Sequence, residues 1–335
     1  MKAVSLVGVG DAAFTQVPEP KKTGGELLLR VEMVGLCGTD LNSFRGNNPL
    51  ITYPRVLGHE IAATVIEGTK NTPPGTRVTV SPYTHCGCCP SCLRGRFNAC
   101  RDNQTLGVQR DGALTELLSV AEQRVYSSAL PLKHLCLVEP LTVGFHAVAR
   151  GRVTSDDVVA VFGCGGVGLG AISGAAYRGA RTIAIDVDDA KLATARAAGA
   201  TDLIHSAREV VHERLSELTG GDGPDVIIEA IGLPQTFRAA VEEVAFTGRV
   251  VYIGYAKEPV AYETKLFVQK ELDILGSRNA LPEDFQAVIT MLETGRFPVD
   301  LAVTTVVGFH ETPRMLREWS ASPTAFTKIL VDLRK

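Results

Sequence analysis

The chain has 335 residues, 45% of them hydrophobic and 21% charged, with a formal net charge of −3. That length exceeds the usual single core, so two domains are expected. Acids and bases are interspersed, which argues against a nucleic-acid or anionic-membrane partner, since either would need a basic face.

Up to about residue 147 the chain carries short β-like runs, at 26–33, 60–67 and 77–80, with Pro73-Pro74-Gly75 as the turn between the last two. This pattern predicts an antiparallel, barrel-like domain. Three dispersed pieces within it carry metal-ligand chemistry: Cys37 in Gly35-Leu36-Cys37-Gly38-Thr39-Asp40, His59-Glu60 after Gly58, and Glu139 before Pro140. A thiolate, an imidazole and one or two carboxylates suit a Zn²⁺ ion that keeps a position open for water or substrate. By spacing alone, a core thiol, a turn histidine and solvated charges account for these residues equally well.

The four cysteines Cys86-x2-Cys89-x2-Cys92-x7-Cys100 are far more specific. Two-residue gaps aim successive thiolates at one point, and the fourth closes a tetrahedron around a structural Zn²⁺. Cys88 is off register, and His85 is a rival ligand that four sulfurs make unnecessary. The alternative is a disulfide cluster or a set of core thiols. Metal-like spacing, with Met1-Lys2 leading straight into Ala3-Val4 and no apolar export segment, predicts a reducing, cytoplasmic setting.

From Asp157 the texture changes to alternating strands and helices. Apolar runs at 158–162, 182–186, 226–228, 250–253 and 273–275 read as buried parallel strands, with helices at 169–179 and 190–198. Between the first strand and its helix lies Gly163-Cys164-Gly165-Gly166-Val167-Gly168, a G-x-G-x-x-G match, and Asp186 follows 18 residues after Gly168. Gly163 makes the tight turn, Gly165 lets the backbone approach a pyrophosphate, and Gly168 allows close helix–strand packing. The helix N-terminus offers N–H groups to phosphate. Asp186, with Asp188 and Asp189 nearby, accepts ribose hydroxyls and repels a 2′-phosphate, which predicts NAD rather than NADP. A helix at 282–294 and a closing strand at 328–333 return the chain to its first domain.

The ordered set of motifs, running from Gly35–Asp40 through Gly58-His59-Glu60, the four-cysteine lobe and Glu139-Pro140 to the glycine fingerprint, resembles the medium-chain zinc-dependent alcohol dehydrogenase family over essentially the whole chain. The fold this implies is α/β: a chaperonin-like β-barrel catalytic domain (1–147, with the zinc lobe at 86–100), a doubly wound Rossmann domain for NAD (148–276), and a return segment completing the catalytic domain (277–335). The resemblance also implies two zinc ions per chain, a small-molecule alcohol substrate, and a homodimer or homotetramer. Cys37 and His59 match the catalytic zinc ligands, with Glu60 or Glu139 as the third. Asp40 matches the acid that orients the histidine, Thr39 the hydroxyl that takes the alcohol proton, and Lys191 a lysine near the adenosine ribose. Where many members carry a histidine that ends the proton relay, this chain has Asn42, which cannot titrate.

Residues 44–55, 107–112, 276–279 and 282–285 resemble bacterial polyol and sugar-acid dehydrogenases, nearest to the L-gulonate or L-galactonate 5-dehydrogenase type. Arg110, Arg278 and Asn279 are candidate substrate contacts, a guanidinium being suited to a carboxylate. L-Threonine or a simple alcohol on the same scaffold, or a non-enzymatic cofactor-sensing protein, remain alternatives.

Overall fold

In the computed structural model, which describes residues 1–335, the chain divides into two units interleaved along the sequence. The first comprises Met1–Glu139, Leu281–Glu293 and Val299–Lys335, and the second Pro140–Ala280 and Thr294–Pro298.

The first unit opens with β1 (Lys2–Gly8), β2 (Asp11–Gln16), β3 (Glu26–Leu36), α1 (Gly38–Phe44), β4 (Arg55–Val56), β5 (Glu60–Glu67) and β6 (Arg77–Val80). It continues through α2 (Pro90–Leu93), β7 (Leu117–Ala121), β8 (Val125–Ser127) and the start of α3 (Leu132–Arg150). Strands β2-β1-β4 form a small sheet, and β3 is central to a larger one. One edge of β3 pairs with β5, while its other edge is shared, the first half pairing with β7. Core residues along β3 are Leu27, Leu29 and Val31, then Val34 and Leu36. The switch from odd to even positions coincides with a register shift between Val31 and Met33. A bulge of this kind inserts one residue and re-aims every side chain after it. Past the bulge Gly35 lies opposite Glu60. Both sit on the face away from the apolar cluster that Ile61, Ala63 and Val65 enter from β5.

The second unit takes the rest of α3, then β9 (Val158–Phe162), α4 (Gly166–Tyr177), β10 (Arg181–Asp186), α5 (Asp189–Ala197) and β11 (Asp202–His205). It continues with α6 (Val211–Thr219), β12 (Val226–Glu229), α7 (Pro234–Glu243), β13 (Arg249–Tyr252), α8 (Lys265–Gln269) and β14 (Asp273–Gly276). All six strands are parallel, in the order β11-β10-β9-β12-β13-β14. The order reverses between β9 and β12, and ligands of such sheets bind at the carboxyl ends of the strands at that switch. Ala160, Ile183, Ile227 and Val250 are fully buried, which is why these strands read as continuous apolar runs rather than alternating ones.

The chain then adds α9 (Pro282–Glu293), α10 (Val299–Ala302), β15 (Thr305–Gly308), α11 (Thr312–Ala321) and β16 (Ile329–Asp332). Strand β16 pairs antiparallel with the last half of β3, Ile329 opposite Leu36, and parallel with β15. No helix is long and apolar enough to cross a membrane.

Two details differ from the sequence reading. The boundary placed at 147/148 falls inside α3, whereas the units part at Glu139 and Pro140; the one at 276/277 lies four residues before Leu281. Helix α3 is not legible as one element in the sequence, because Pro140, ordinarily a helix terminator, sits within it.

One polar anchor ties the start of β9 to the start of β13. Asp157 accepts from the Thr154 backbone N–H at 2.7 Å, and its carboxylate pairs with the guanidinium of Arg249, which also donates to Gly151 O at 3.0 Å. Burial alone would raise the Asp157 pKa, but the hydrogen bonds from Arg249 and Thr154 outweigh it and hold it below the usual value. The native pKa being lower than the unfolded one, the anchor's contribution is complete above about pH 4 and disappears as pH falls through the native value. Asp157→Asn should therefore lower stability at neutral pH by about 1–3 kcal/mol, and the loss should shrink in acid. Denaturant midpoints that match wild type at both pH values would rule this out.

Candidate functional site

At the end of β3 the backbone turns into α1, and Cys37 sits at the junction. The Asp40 side chain accepts from the Cys37 N–H at 2.8 Å, which holds the turn. His59 follows Leu57 and Gly58, whose carbonyls accept the backbone N–H groups of Leu114 and Ala113 at 2.9 Å each. As a result Cys37 Sγ, a His59 ring nitrogen and a Glu60 carboxylate oxygen lie within 4.8 Å of one another. Asp40 Oδ1 lies 3.7 Å from His59 Nδ1, an arrangement that leaves Nε2 for another partner. Burial would pull the His59 pKa down, but Asp40 and Cys37 more than offset it and hold it well above its ordinary value.

Glu60 has no exposed surface. Its Oε1 pairs with the Lys328 ammonium, which also donates to Leu36 O at 3.3 Å, and its Oε2 has no hydrogen-bond partner. The carboxylate fits only because residue 35 is glycine: a Cβ there would lie 1.9 Å from Oε2. Lys328 is itself 5% exposed; burial would lower its pKa, yet Glu60 and Cys37 keep it raised. Glu139, on α3, is buried and accepts from the Tyr83 hydroxyl. Burial pushes the Glu139 carboxyl up despite His59, and burial together with the Glu139 charge pushes the Tyr83 phenol well up. Thr39 Oγ1 is 3.8 Å from Cys37 Sγ. An orphaned carboxylate oxygen beside a sulfur and an imidazole is the donor set of a divalent cation such as Zn²⁺.

The four-cysteine lobe is built locally. Sulfur separations are 3.5 Å for Cys89–Cys92, 3.9 Å for Cys89–Cys100 and 3.7 Å for Cys86–Cys100. Disulfide sulfurs lie at about 2.05 Å, whereas the edge of a tetrahedron with Zn–S bonds of about 2.3 Å is about 3.8 Å. Donors from Ser91 and from the backbone N–H groups of Cys92 and Arg101 bring the Cys89 thiol down to about 5, while burial and Cys89 push Cys92 up to about 12. Thiols packed this closely ionise together only around a cation. Cys88 is exposed and outside the group, and the His85 ring packs at a tilt against Phe97 with ring centroids 4.7 Å apart.

In the second unit the glycine loop connects β9 to α4. Gly163 has φ +95°, a Cβ on Gly168 would lie 1.8 Å from Gly163 O, and beside Gly165 there is open space. Gly166 and Val167 form the first turn of α4. The Asp186 carboxylate accepts from Cys164 N on one oxygen (2.8 Å) and from Val187 N (2.7 Å) and Asp188 N (3.2 Å) on the other. It is thereby locked to the glycine loop. Lys191 N caps onto Asp188 at 3.0 Å. A turn stripped of side chains, with a fixed acid beside it, fits a dinucleotide.

Arg110 is half-buried with its Nε unpartnered, while Arg278 (exposed) and Asn279 (half-buried) follow β14. Sequence reasoning missed Lys328, Tyr83 and the role of Gly35. A lysine heading an apolar strand was the one visible signal among them.

Comparison with known proteins agrees with this geometry. Residues 23–131 match the family model "Alcohol dehydrogenase GroES-like domain" and residues 166–294 the model "Zinc-binding dehydrogenase". An uncharacterised zinc-type alcohol dehydrogenase-like protein of Haemophilus influenzae is 33% identical, over 98% of each chain. The chain belongs to the medium-chain zinc-dependent alcohol dehydrogenases. L-Galactonate-5-dehydrogenase of Escherichia coli is 33% identical to this dehydrogenase, over 83% of each chain. The crystal structure of an alcohol dehydrogenase, rspB of Escherichia coli CFT073, complexed with NADH, superposes with a TM-score of 0.91 at 27% identity, over 99% of each chain. This is thus an oxidoreductase of the zinc-type alcohol and polyol dehydrogenase class, and its two ligand clusters fit a structural and a catalytic zinc.

Gly35→Ala should displace Glu60 and take the protein from two zinc ions per chain to one, with the four-cysteine lobe still loaded. Metal analysis showing an undiminished complement would contradict this account of the cluster.

Proposed function

We propose that this dehydrogenase oxidises a secondary alcohol of a polyol or sugar acid, of L-gulonate or L-galactonate type, with NAD as hydride acceptor. The observation that carries the reading is the convergence of Cys37, His59 and Glu60 within 4.8 Å, with Glu60 Oε2 unpartnered. Bound there, Zn²⁺ would supply the Lewis acidity that lowers an alcohol's pKa, and NAD would supply the hydride acceptor. Cys37, His59 and Glu60 hold the metal in this reading, and Asp40, whose Oδ1 lies 3.7 Å from Nδ1, is the acid that would orient the His59 ring. Thr39 Oγ1, 3.8 Å from Cys37 Sγ, would shuttle the hydroxyl proton, accepting it as it hands on its own, with Glu139 as the local base that takes it up.

The choice of NAD is supported by Asp186, whose carboxylate is immobilised by three backbone N–H groups. Together with Asp188 and Asp189 it makes a poor setting for a 2′-phosphate. Gly163, Gly165, Gly166, Val167 and Gly168 would receive the pyrophosphate, and Lys191 would meet the adenosine ribose. The sugar-acid assignment is supported by the similarity to an L-galactonate dehydrogenase. Arg110, Arg278 and Asn279 are the candidates to meet the substrate, a guanidinium matching its carboxylate.

NADH absorbance across polyols, aldonates, L-threonine and simple alcohols tests this directly. Cys37→Ser should cut NADH formation by about a thousandfold or more while NAD binding stays measurable, and retained activity would remove the metal from the mechanism. Arg278→Ala should weaken an aldonate by about tenfold to a hundredfold in KM and leave a neutral polyol unaffected. Neutral polyols outperforming every aldonate would defeat the sugar-acid assignment.

A further inference from the structure

Tyr83 belongs to none of the family motifs, yet its buried hydroxyl binds Glu139, a carboxylate whose charge is felt at His59. It lies three residues before Cys86, bridges to Thr105 and is 8% exposed. Its hydroxyl donates to Glu139 Oε1, joining a loop between β6 and α2 to helix α3 across 56 residues of sequence. The charges of Cys37 and Glu60 are felt at the same phenol, and that of Glu139 at His59.

We propose that Tyr83 is a positioning residue, whose hydroxyl fixes the Glu139 carboxylate against the Cys37–His59–Glu60 cluster and so sets the wall that meets the substrate's hydroxyl groups. A glutamate side chain has three free torsions, and a carboxylate oxygen can only accept. A phenol has one donor on a rigid ring, so its bond selects a single carboxylate orientation. Charge-assisted bonds of this type are strong and directional in a site shielded from water. The two buried carboxylates, Glu60 and Glu139, are thus held differently. Glu60 is paired with the Lys328 cation, whereas Glu139 is held by the neutral hydroxyl of Tyr83. The inference rests on the reading in which Cys37, His59 and Glu60 hold the catalytic zinc.

The test compares wild type, Tyr83→Phe, Glu139→Gln and the double variant by zinc content and steady-state kinetics, with crystal structures of wild type and Tyr83→Phe. Tyr83→Phe should keep its full zinc complement and lose about tenfold to a hundredfold in kcat/KM. The double variant should be no slower than Glu139→Gln alone, because both changes break the same interaction. In the Tyr83→Phe crystal the Glu139 carboxylate should have left its wild-type position. Activity within about twofold of wild type, additive losses in the double variant, zinc lost from Tyr83→Phe, or an unmoved Glu139 would each overturn the assignment. Should wild type oxidise no alcohol at all, the dehydrogenase reading fails, and the position of Glu139 in the two crystals still decides the role of Tyr83.

Discussion

A carboxylate withdrawn from water needs a partner, and the metal cluster of this protein is organised around the way Glu60 obtains one. The side chain has no exposed surface, and its counter-charge, Lys328, lies 268 residues away in the chain. Lys328 reaches it because β16 occupies the part of the β3 edge that β7 leaves vacant. On the other edge, the register shift between Val31 and Met33 turns Gly35 toward Glu60. Without that shift a side chain other than hydrogen would face the carboxylate. A cation on one flank and a bare backbone on the other confine the acid beside Cys37 and His59.

The two clusters of ligand-type residues meet similar electrostatic demands by opposite routes. The four-cysteine lobe gathers its sulfurs within 15 consecutive residues. Local backbone donors help to stabilise its thiolates, among them Cys89 N to Cys86 Sγ and Cys86 N to Cys100 Sγ, both at 3.3 Å. The Cys37–His59–Glu60 cluster depends on strand pairing between distant segments and on Asp40 and Lys328 as supports. A lobe of the first kind keeps its geometry as long as its own loop does. A cluster of the second kind is sensitive to any change that alters the register of β3.

The cofactor unit follows the same economy of fixed groups. Asp186 does not hang free at the end of β10, since Cys164 from the glycine loop and its own two following residues hold both carboxylate oxygens. The acid and the phosphate-binding turn are therefore a single rigid element. Such preorganisation lowers the entropic cost of binding a flexible dinucleotide.

Much of this was legible in the residues themselves. The apolar runs at β9, β10, β12 and β13 and the glycine loop announce a parallel sheet, because strands buried on both faces have no polar alternation to hide them. The cysteine spacing announces the zinc lobe, because a tetrahedron of thiolates can be closed by turns a few residues long. Helix α3 was illegible, since Pro140 mimics a helix end and the passage from one unit to the other occurs in mid-helix. Lys328 and Tyr83 were illegible for another reason, namely that neither spacing nor periodicity encodes which side chain will meet which across strand pairings and loops. Short-range chemistry thus determined the ligand types, the phosphate turn and the family. Tertiary structure alone decided which carboxylate was paired with a cation, which with a phenol, and why residue 35 had to lack a side chain, because those choices depend on register and burial set by segments far apart in the chain.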